Sequence, residues 1–267
     1  MLATYLIGLR EGLEATLVVT ILVAFLVKSD LRHRLPYVWA GVAAAVLLSV
    51  GFAAFLEFTS ANLEFRNKEL FEATASIAAV VFVTWMIFWM RRAARGIAGE
   101  LRTKMQSAIE IGPIAVAVTA FLAVAREGLE TALFFFATVQ SNDANHAVAA
   151  IVGGIATSIA IGVGLYYSAV RINLTRFFTW TGAILVLVAA GILKYGVHDL
   201  QEADVVPGLN NQLSVPSFDP TTWWAELLRG MFNVTTNPSV LESLAWFLYA
   251  LPVLLLFLWP KNRSSHA

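Results

Sequence analysis

Apolar residues in this chain fill long runs rather than alternating or recurring on one face. Seven such runs can be drawn, roughly 2–27, 37–58, 69–90, 112–140, 147–170, 178–200 and 241–259. Each approaches or exceeds the ~20 residues of a membrane-spanning helix. A helix satisfies its own backbone hydrogen bonds in lipid, so helices are expected for all seven. Residues 91–109 differ: Ile97, Leu101 and Met105 recur every fourth position among basic residues, which predicts a short amphipathic helix on the inner membrane surface. Residues 201–240 are broken by Pro207, Pro216, Pro220 and Pro238. There Asp219-Pro220 reads as an N-cap followed by a first helical proline. Trp223, Trp224, Leu227, Leu228 and Phe232 then follow as an amphipathic piece at the outer headgroup level.

Composition agrees with this class: 58% of the 267 residues are hydrophobic and 13% charged, against ~25% charged in an ordinary soluble domain. The net charge is zero, but the charges are unevenly placed. Lys28, Arg32, Arg34, Arg91, Arg92, Arg95, Arg102, Lys104, Arg171, Arg176, Lys261 and Arg263 lie in one set of connections. The other set holds Arg66, Lys68 and Arg229. The positive-inside rule puts the basic set in the cytoplasm, with the N-terminus outside, the C-terminus inside and the first run retained as a span. The expected fold is therefore an all-α polytopic membrane protein with seven transmembrane helices. Residues 1–90 form a first three-helix repeat and 112–200 a second of inverted topology, joined by a cytoplasmic connection at 91–111. An extracytoplasmic loop, 201–240, leads to a seventh helix at 241–259.

The inversion rests on a repeated motif. Arg10-Glu11-Gly12-Leu13-Glu14 in the first run recurs as Arg126-Glu127-Gly128-Leu129-Glu130 in the fourth. Charges near the centre of a spanning helix cost on the order of 2.5–3.5 kcal/mol each on insertion scales, and they mark functional sites. Helical spacing of about 100° per residue puts the two glutamates of each copy, and the arginine beside them, on about one third of the helix surface. Two such faces meeting would hold four carboxylates and two guanidiniums, a formal charge of −2. Hard oxygen donors suit hard cations, and transporters with inverted repeats place their substrate near the midplane where the repeats meet. Gly12 and Gly128 allow close helix approach. With no cysteine in the chain, thiolate ligation and disulfides are excluded.

The doubled Arg-Glu-Gly-Leu-Glu resembles the oxidase-dependent iron transporter family, the high-affinity iron permeases, and most closely its bacterial branch. The resemblance extends to Glu72, to Trp85-Met86-x-x-Trp89-Met90 and to His198-x-x-Gln201-Glu202-Ala203. It implies that Glu11, Glu14, Glu127 and Glu130 are the metal ligands, with Arg10, Gly12, Arg126 and Gly128 supporting them. It also implies an iron ion as the transported substrate, Fe3+ favoured over Fe2+, without an organic cofactor. The implied location is the cytoplasmic (inner) membrane, and the implied partners are an extracytoplasmic iron-binding protein and a haem peroxidase.

Glu69 and Glu72 repeat the ExxE spacing where the third run begins, and His198, Asp199 and Glu202 cluster at the end of the sixth. These five are candidate entrance ligands. Lys194, one turn before His198, is expected to reach outward or to pair with a motif glutamate. No nucleotide loop, HExxH or nucleophile constellation is present, so a permease rather than an enzyme is expected, with lipid and not nucleic acid around it. Carboxylates select loosely, which leaves manganese or lead as alternative cargo, and a non-transporting metal sensor as an alternative role.

Overall fold

The structure is a computed structural model that describes residues 2–93, 97–139, 144–167, 174–213, 222, 225, 228 and 232–259. Among these residues it is all-helical, without strands. The α-helices with described bounds are α1 (Leu2–Lys28), α2 (Leu35–Ala61), α3 (Phe65–Ala93), α4 (Ile97–Ile111), α5 (Pro113–Val139), α6 (Ala144–Tyr166), α7 (Leu174–Glu202) and α8 (Val240–Leu258). Each of the seven apolar runs is thus a helix, and the amphipathic stretch is the eighth.

Among the described residues, five helical stretches are long and apolar enough to cross a membrane: Arg32–Ala61, Phe65–Met90, His146–Gly164, Phe177–Glu202 and Val240–Leu258. α1 and α5 fall outside that set although each has 27 residues, about 40 Å at the α-helical rise. The three charges of the motif in each are what set them apart. Large apolar side chains face outward over much of the molecule, among them Leu47, Phe58, Leu248 and Leu256, as a lipid-facing surface requires.

Glycines set the helix pairing. A Cβ added at Gly8 would meet the Ile151 carbonyl, one at Gly12 the Ser158 hydroxyl, and one at Gly162 the Thr16 side chain. These contacts rise together along both chains, so α1 and α6 run parallel. Likewise Gly41 lies on Ala117 and Gly128 on Ser49, so α2 and α5 run parallel. α3 and α7 are antiparallel, with Gly196 against Ala73 and Ser76. Where α4 turns into α5, Gly112 has a φ of 139°, a conformation glycine adopts without a steric penalty. Pro113 then occupies the first helical position of α5.

α4 packs against α1 and α5, with Met105 and Ala108 buried in a cluster with Val18, Leu22 and Val116. Its apolar face is turned to the bundle, against α1 and α5. The start at Asp219-Pro220 and the residues Trp223, Trp224 and Leu227 lie outside the described residues, as do Arg95, Arg171, Lys261 and Arg263. Phe232 packs its backbone on Gly191, and Asn233 donates from Nδ2 to the Gly191 carbonyl. Gly191 and Lys194 lie well inside α7, roughly 12–17 Å of helix below its end at Glu202. Irregular backbone at such depth is tolerated where protein covers it.

Ser239 caps α8, accepting from the Glu242 N–H at 3.1 Å and donating to Gln201 Oε1 at 2.9 Å. That ties the start of α8 to the end of α7.

Candidate metal centre

α1 and α5 cross in opposite directions, and their motifs meet. The carboxylates of Glu11, Glu14 and Glu127 each place an oxygen within 4.8 Å of the other two. Glu130 is buried beside Arg126 but is not part of that trio. All four glutamates are at most 5% exposed. Arg10 Nη1 is 2.7 Å from Glu11 Oε1, and Nη2 is 2.9 Å from Glu14 Oε1. Arg126 Nε stands 3.2 Å from Glu127 Oε1 and 3.4 Å from Glu130 Oε1. Helix spacing explains both forks: an arginine at position i reaches the acids at i+1 and i+4.

The two copies are not equivalent in their surroundings. Arg10 is 1% exposed and also donates to Met86 Sδ at 2.8 Å. The Arg126 side chain is 36% exposed, and its guanidinium carbon lies 4.3 Å from the centroid of the Trp89 ring. Glu11 Oε2, Glu127 Oε2 and both oxygens of Glu130 accept no hydrogen bond among the described residues. Buried carboxylate oxygens left in that condition are costly, and a bound cation would satisfy them. Carboxylates at this spacing are the donor set of a hard cation.

The motif glycines have a function beyond allowing approach. The space beside Gly12 is taken by Ser158, whose Oγ donates to the Ile155 carbonyl at 2.7 Å. The space beside Gly128 is taken by Ser49, whose Oγ donates to the Ala45 carbonyl at 2.8 Å. Each motif is therefore backed by a serine from the helix that runs parallel to it. Serine hydroxyls bonded to their own helix look inert in sequence, which is why neither was singled out.

A cavity of about 730 Å³ opens onto this centre from the end of the bundle that carries α4. Glu14, Glu127, Arg126, Trp89, Lys104 and Leu122 are among the residues lining it. On its α4 wall, the Lys104 ammonium bonds Glu100 at 2.7 Å and holds that carboxyl below its usual range.

At the opposite end, the five candidate entrance residues separate into two groups. Glu69, Glu72 and Asp199 converge and are buried. His198 instead engages Glu242 Oε1 at 3.0 Å and Glu202 Oε1 at 3.3 Å. Lys194 neither reaches outward nor pairs with a motif acid. It is 4% exposed, bonds the Asn233 carbonyl and Thr235 Oγ1, and stands 3.7 Å from Glu242 Oε2. Glu242 was missed because Ser239-x-x-Glu242 reads as an ordinary capping box, in which the acid needs no other duty.

Antiparallel apolar helices, a buried carboxylate cluster and a cavity reaching it are features that a membrane permease for cations requires. The chain belongs to the iron permease FTR1 family, whose pattern matches residues 1–260. It is 33% identical to the ferrous iron permease EfeU of Escherichia coli O6:H1, with 100% of this chain and 99% of the relative covered. It is 32% identical to the ferrous iron permease EfeU of Yersinia pestis, over 99% of this chain and 96% of that one. No solved structure matches it. Membership of a permease family makes the protein a transporter rather than an enzyme, and iron is the substrate its family transports.

Proposed function

We propose that the protein moves iron across the cytoplasmic membrane through a site built by Glu11, Glu14, Glu127 and Glu130, held by Arg10 and Arg126. The observation that carries this reading is the convergence of buried carboxylates from two antiparallel helices at the head of a cavity. Iron(II) fits the charge better than the iron(III) first favoured. Four carboxylates and two guanidiniums sum to −2, which a divalent ion neutralises, and the relatives are named for ferrous iron.

The proposed membrane arrangement has seven spans, α1–α3 and α5–α8, with the N-terminus outside and the α4 end in the cytoplasm. Helix pairing supports two inverted repeats: exchanging α1 with α5 and α2 with α6 converts the α1–α6 pair into α5–α2. In that frame the cavity is an inward vestibule and the conformation is inward-facing. Supply by an extracytoplasmic iron-binding protein and a haem peroxidase follows from the family resemblance.

The test is uptake of radioactive iron by cells or proteoliposomes, normalised to inserted protein, for the Glu→Gln variants at 11, 14, 127 and 130. Each is expected to abolish or nearly abolish uptake while the protein still inserts. Near wild-type rates in two or more would make the motif a packing device.

A further inference from the structure

Three carboxylates converge a second time, far from the motif. Glu69 and Glu72 lie one turn apart on α3, and Asp199 comes from the antiparallel α7. They are 7%, 3% and 1% exposed, and one oxygen of each lies within 4.8 Å of the other two. The meeting is built by close packing one turn away: a Cβ at Gly196 would stand 3.0 Å from Ser76 Cβ and 3.4 Å from the Ala73 carbonyl. Three buried acids facing one another repel when all are ionised, and a cation held among them removes that repulsion.

The protein supplies little of that cation. Lys68 Nζ stands 3.7 Å from Glu72 Oε1, at the weak end of an ion pair, and its side chain is 43% exposed. Ser60 donates its hydroxyl to Glu72 Oε1 at 2.5 Å, which fixes that carboxylate. His198, the neighbouring ring, is engaged by Glu202 and Glu242. Asp199 Oδ2 is buried and accepts no hydrogen bond among the described residues, and one oxygen of the same carboxylate lies within the cluster.

We propose that Glu69, Glu72 and Asp199 form a second, discrete metal site that takes a divalent cation through carboxylate oxygens. His198 and Glu202 are not its ligands; with Lys194 and Glu242 they brace α8 and the returning loop against α7. The site is separate from the motif centre. Glu72 and Met86, which touches Arg10, are about 21 Å apart along α3. Ala79, Val80 and Val83 fill that interval, packed in one apolar cluster with Ile7 and Phe134. An ion held at the outer site therefore waits on the far side of a closed layer, and its function is to load the motif centre when that layer opens. The identity of the ion as iron rests on the proposed transport, while the existence of the site does not.

Equilibrium binding of Fe2+, without oxygen, to the full chain in lipid nanodiscs tests this. The wild type is expected to bind two ions per chain. Asp199→Asn, close to isosteric, should leave one, as should Glu11→Gln/Glu127→Gln, and the three changes together none. Glu72→Gln repeats the test should Asp199→Asn not insert. In uptake, Asp199→Asn should raise the half-saturating iron concentration about tenfold, as loss of ~1.4 kcal/mol in binding would, with the maximal rate within about twofold. Two ions retained by both Asp199→Asn and Glu72→Gln would overturn the outer site. A single wild-type ion lost only in the Glu11→Gln/Glu127→Gln variant would overturn it too. Two ions retained by Glu11→Gln/Glu127→Gln, with one lost in Asp199→Asn, would overturn the motif centre and leave the outer site standing.

Discussion

Trp89 carries Arg126 on its ring face, with 4.3 Å between the guanidinium carbon and the ring centroid. Met86, one turn earlier on α3, receives Arg10. A single turn of α3 thus holds both arginines of the repeated motif, one from each antiparallel helix. Neither contact involves a carboxylate. α3 therefore contacts both copies of the motif at once. Its indole is half-buried and lines the cavity, and its methionine is sealed.

Replacing Trp89 by leucine removes a cation–π contact of about 0.5–2 kcal/mol and frees Arg126 to swing into the cavity. Iron uptake per inserted protein is expected to fall several-fold, with little change in melting temperature. Trp89→Phe keeps a ring face and should retain most activity. Met86→Leu preserves volume and loses only a weak acceptor, so its effect should be smaller. Equal losses in Trp89→Phe and Trp89→Leu would show that the ring's charge distribution is irrelevant.

The arginines should differ from each other. Arg10 is sealed between Glu11 and Glu14, so Arg10→Ala strands two buried acids, and breaking a buried pair costs about 3–5 kcal/mol. Poor insertion or a steep loss of thermal stability is expected. Arg126 is one third exposed beside a cavity that water can enter, so Arg126→Ala should fold far better and lose transport directly. Detergent-solubilised melting curves for the two variants make the comparison. Equal destabilisation would mean that the cavity does not hydrate Arg126.

Each motif glycine faces a serine, and this gives a paired test. Gly12→Ala drives a methyl into Ser158, and overpacking of this kind costs about 1–3 kcal/mol. Ser158→Ala in the same chain removes the hydroxyl and should recover part of the loss. Gly128→Ala with Ser49→Ala should behave alike. Failure of either serine change to help would mean that the helices part instead.

Much of this architecture is legible in the chain itself. Long apolar runs gave the helices because spanning segments have little else to be. The doubled pentapeptide pointed to the carboxylates of Glu11, Glu14 and Glu127 that converge, because three charges per long apolar helix have no bland explanation. What stayed hidden is which residues partner the motif. Met86 and Trp89 stand in the stretch Trp85-Met86-x-x-Trp89-Met90 that shares in the family resemblance, yet nothing in it says that they receive the arginines. Ser49 and Ser158 look like self-bonded helix serines, and Glu242 like a cap. Lys194 was misjudged because a lysine near a helix end normally reaches water, and nothing in sequence revealed that residues 232–235 fold back over it. What α4 packs against was not legible, because an amphipathic helix has the same periodicity whether its apolar face meets lipid or protein.

Orientation is open to a direct check. A reporter fused after residue 100 is expected to report cytoplasm, and one near residue 215 the outside. The reverse result would invert the vestibule and place the Glu69, Glu72 and Asp199 cluster inside.

The last expectation concerns which side of the centre is shut. At the register that aligns Arg10 with Arg126, Ile7 aligns with Ala123 and Phe134 with Val18. Ile7 and Phe134 are buried, at 1% and 0% exposed, in the layer between the motif and the outer acids. Their smaller counterparts Ala123 and Val18 line the cavity. Large residues therefore close one side of the centre where small ones leave the other open. The chain has no cysteine, so single cysteines can report access. Thr119→Cys, on the cavity wall, should react with a membrane-impermeant thiol reagent from the cytoplasmic face. Ala79→Cys, inside the closed layer, should not react from outside until Phe134→Ala is added. Ala123→Phe should fill the vestibule and stop uptake without preventing insertion. Labelling of Ala79→Cys from outside in a chain that keeps Phe134 would show that this layer is no barrier, and the gate would have to be sought elsewhere.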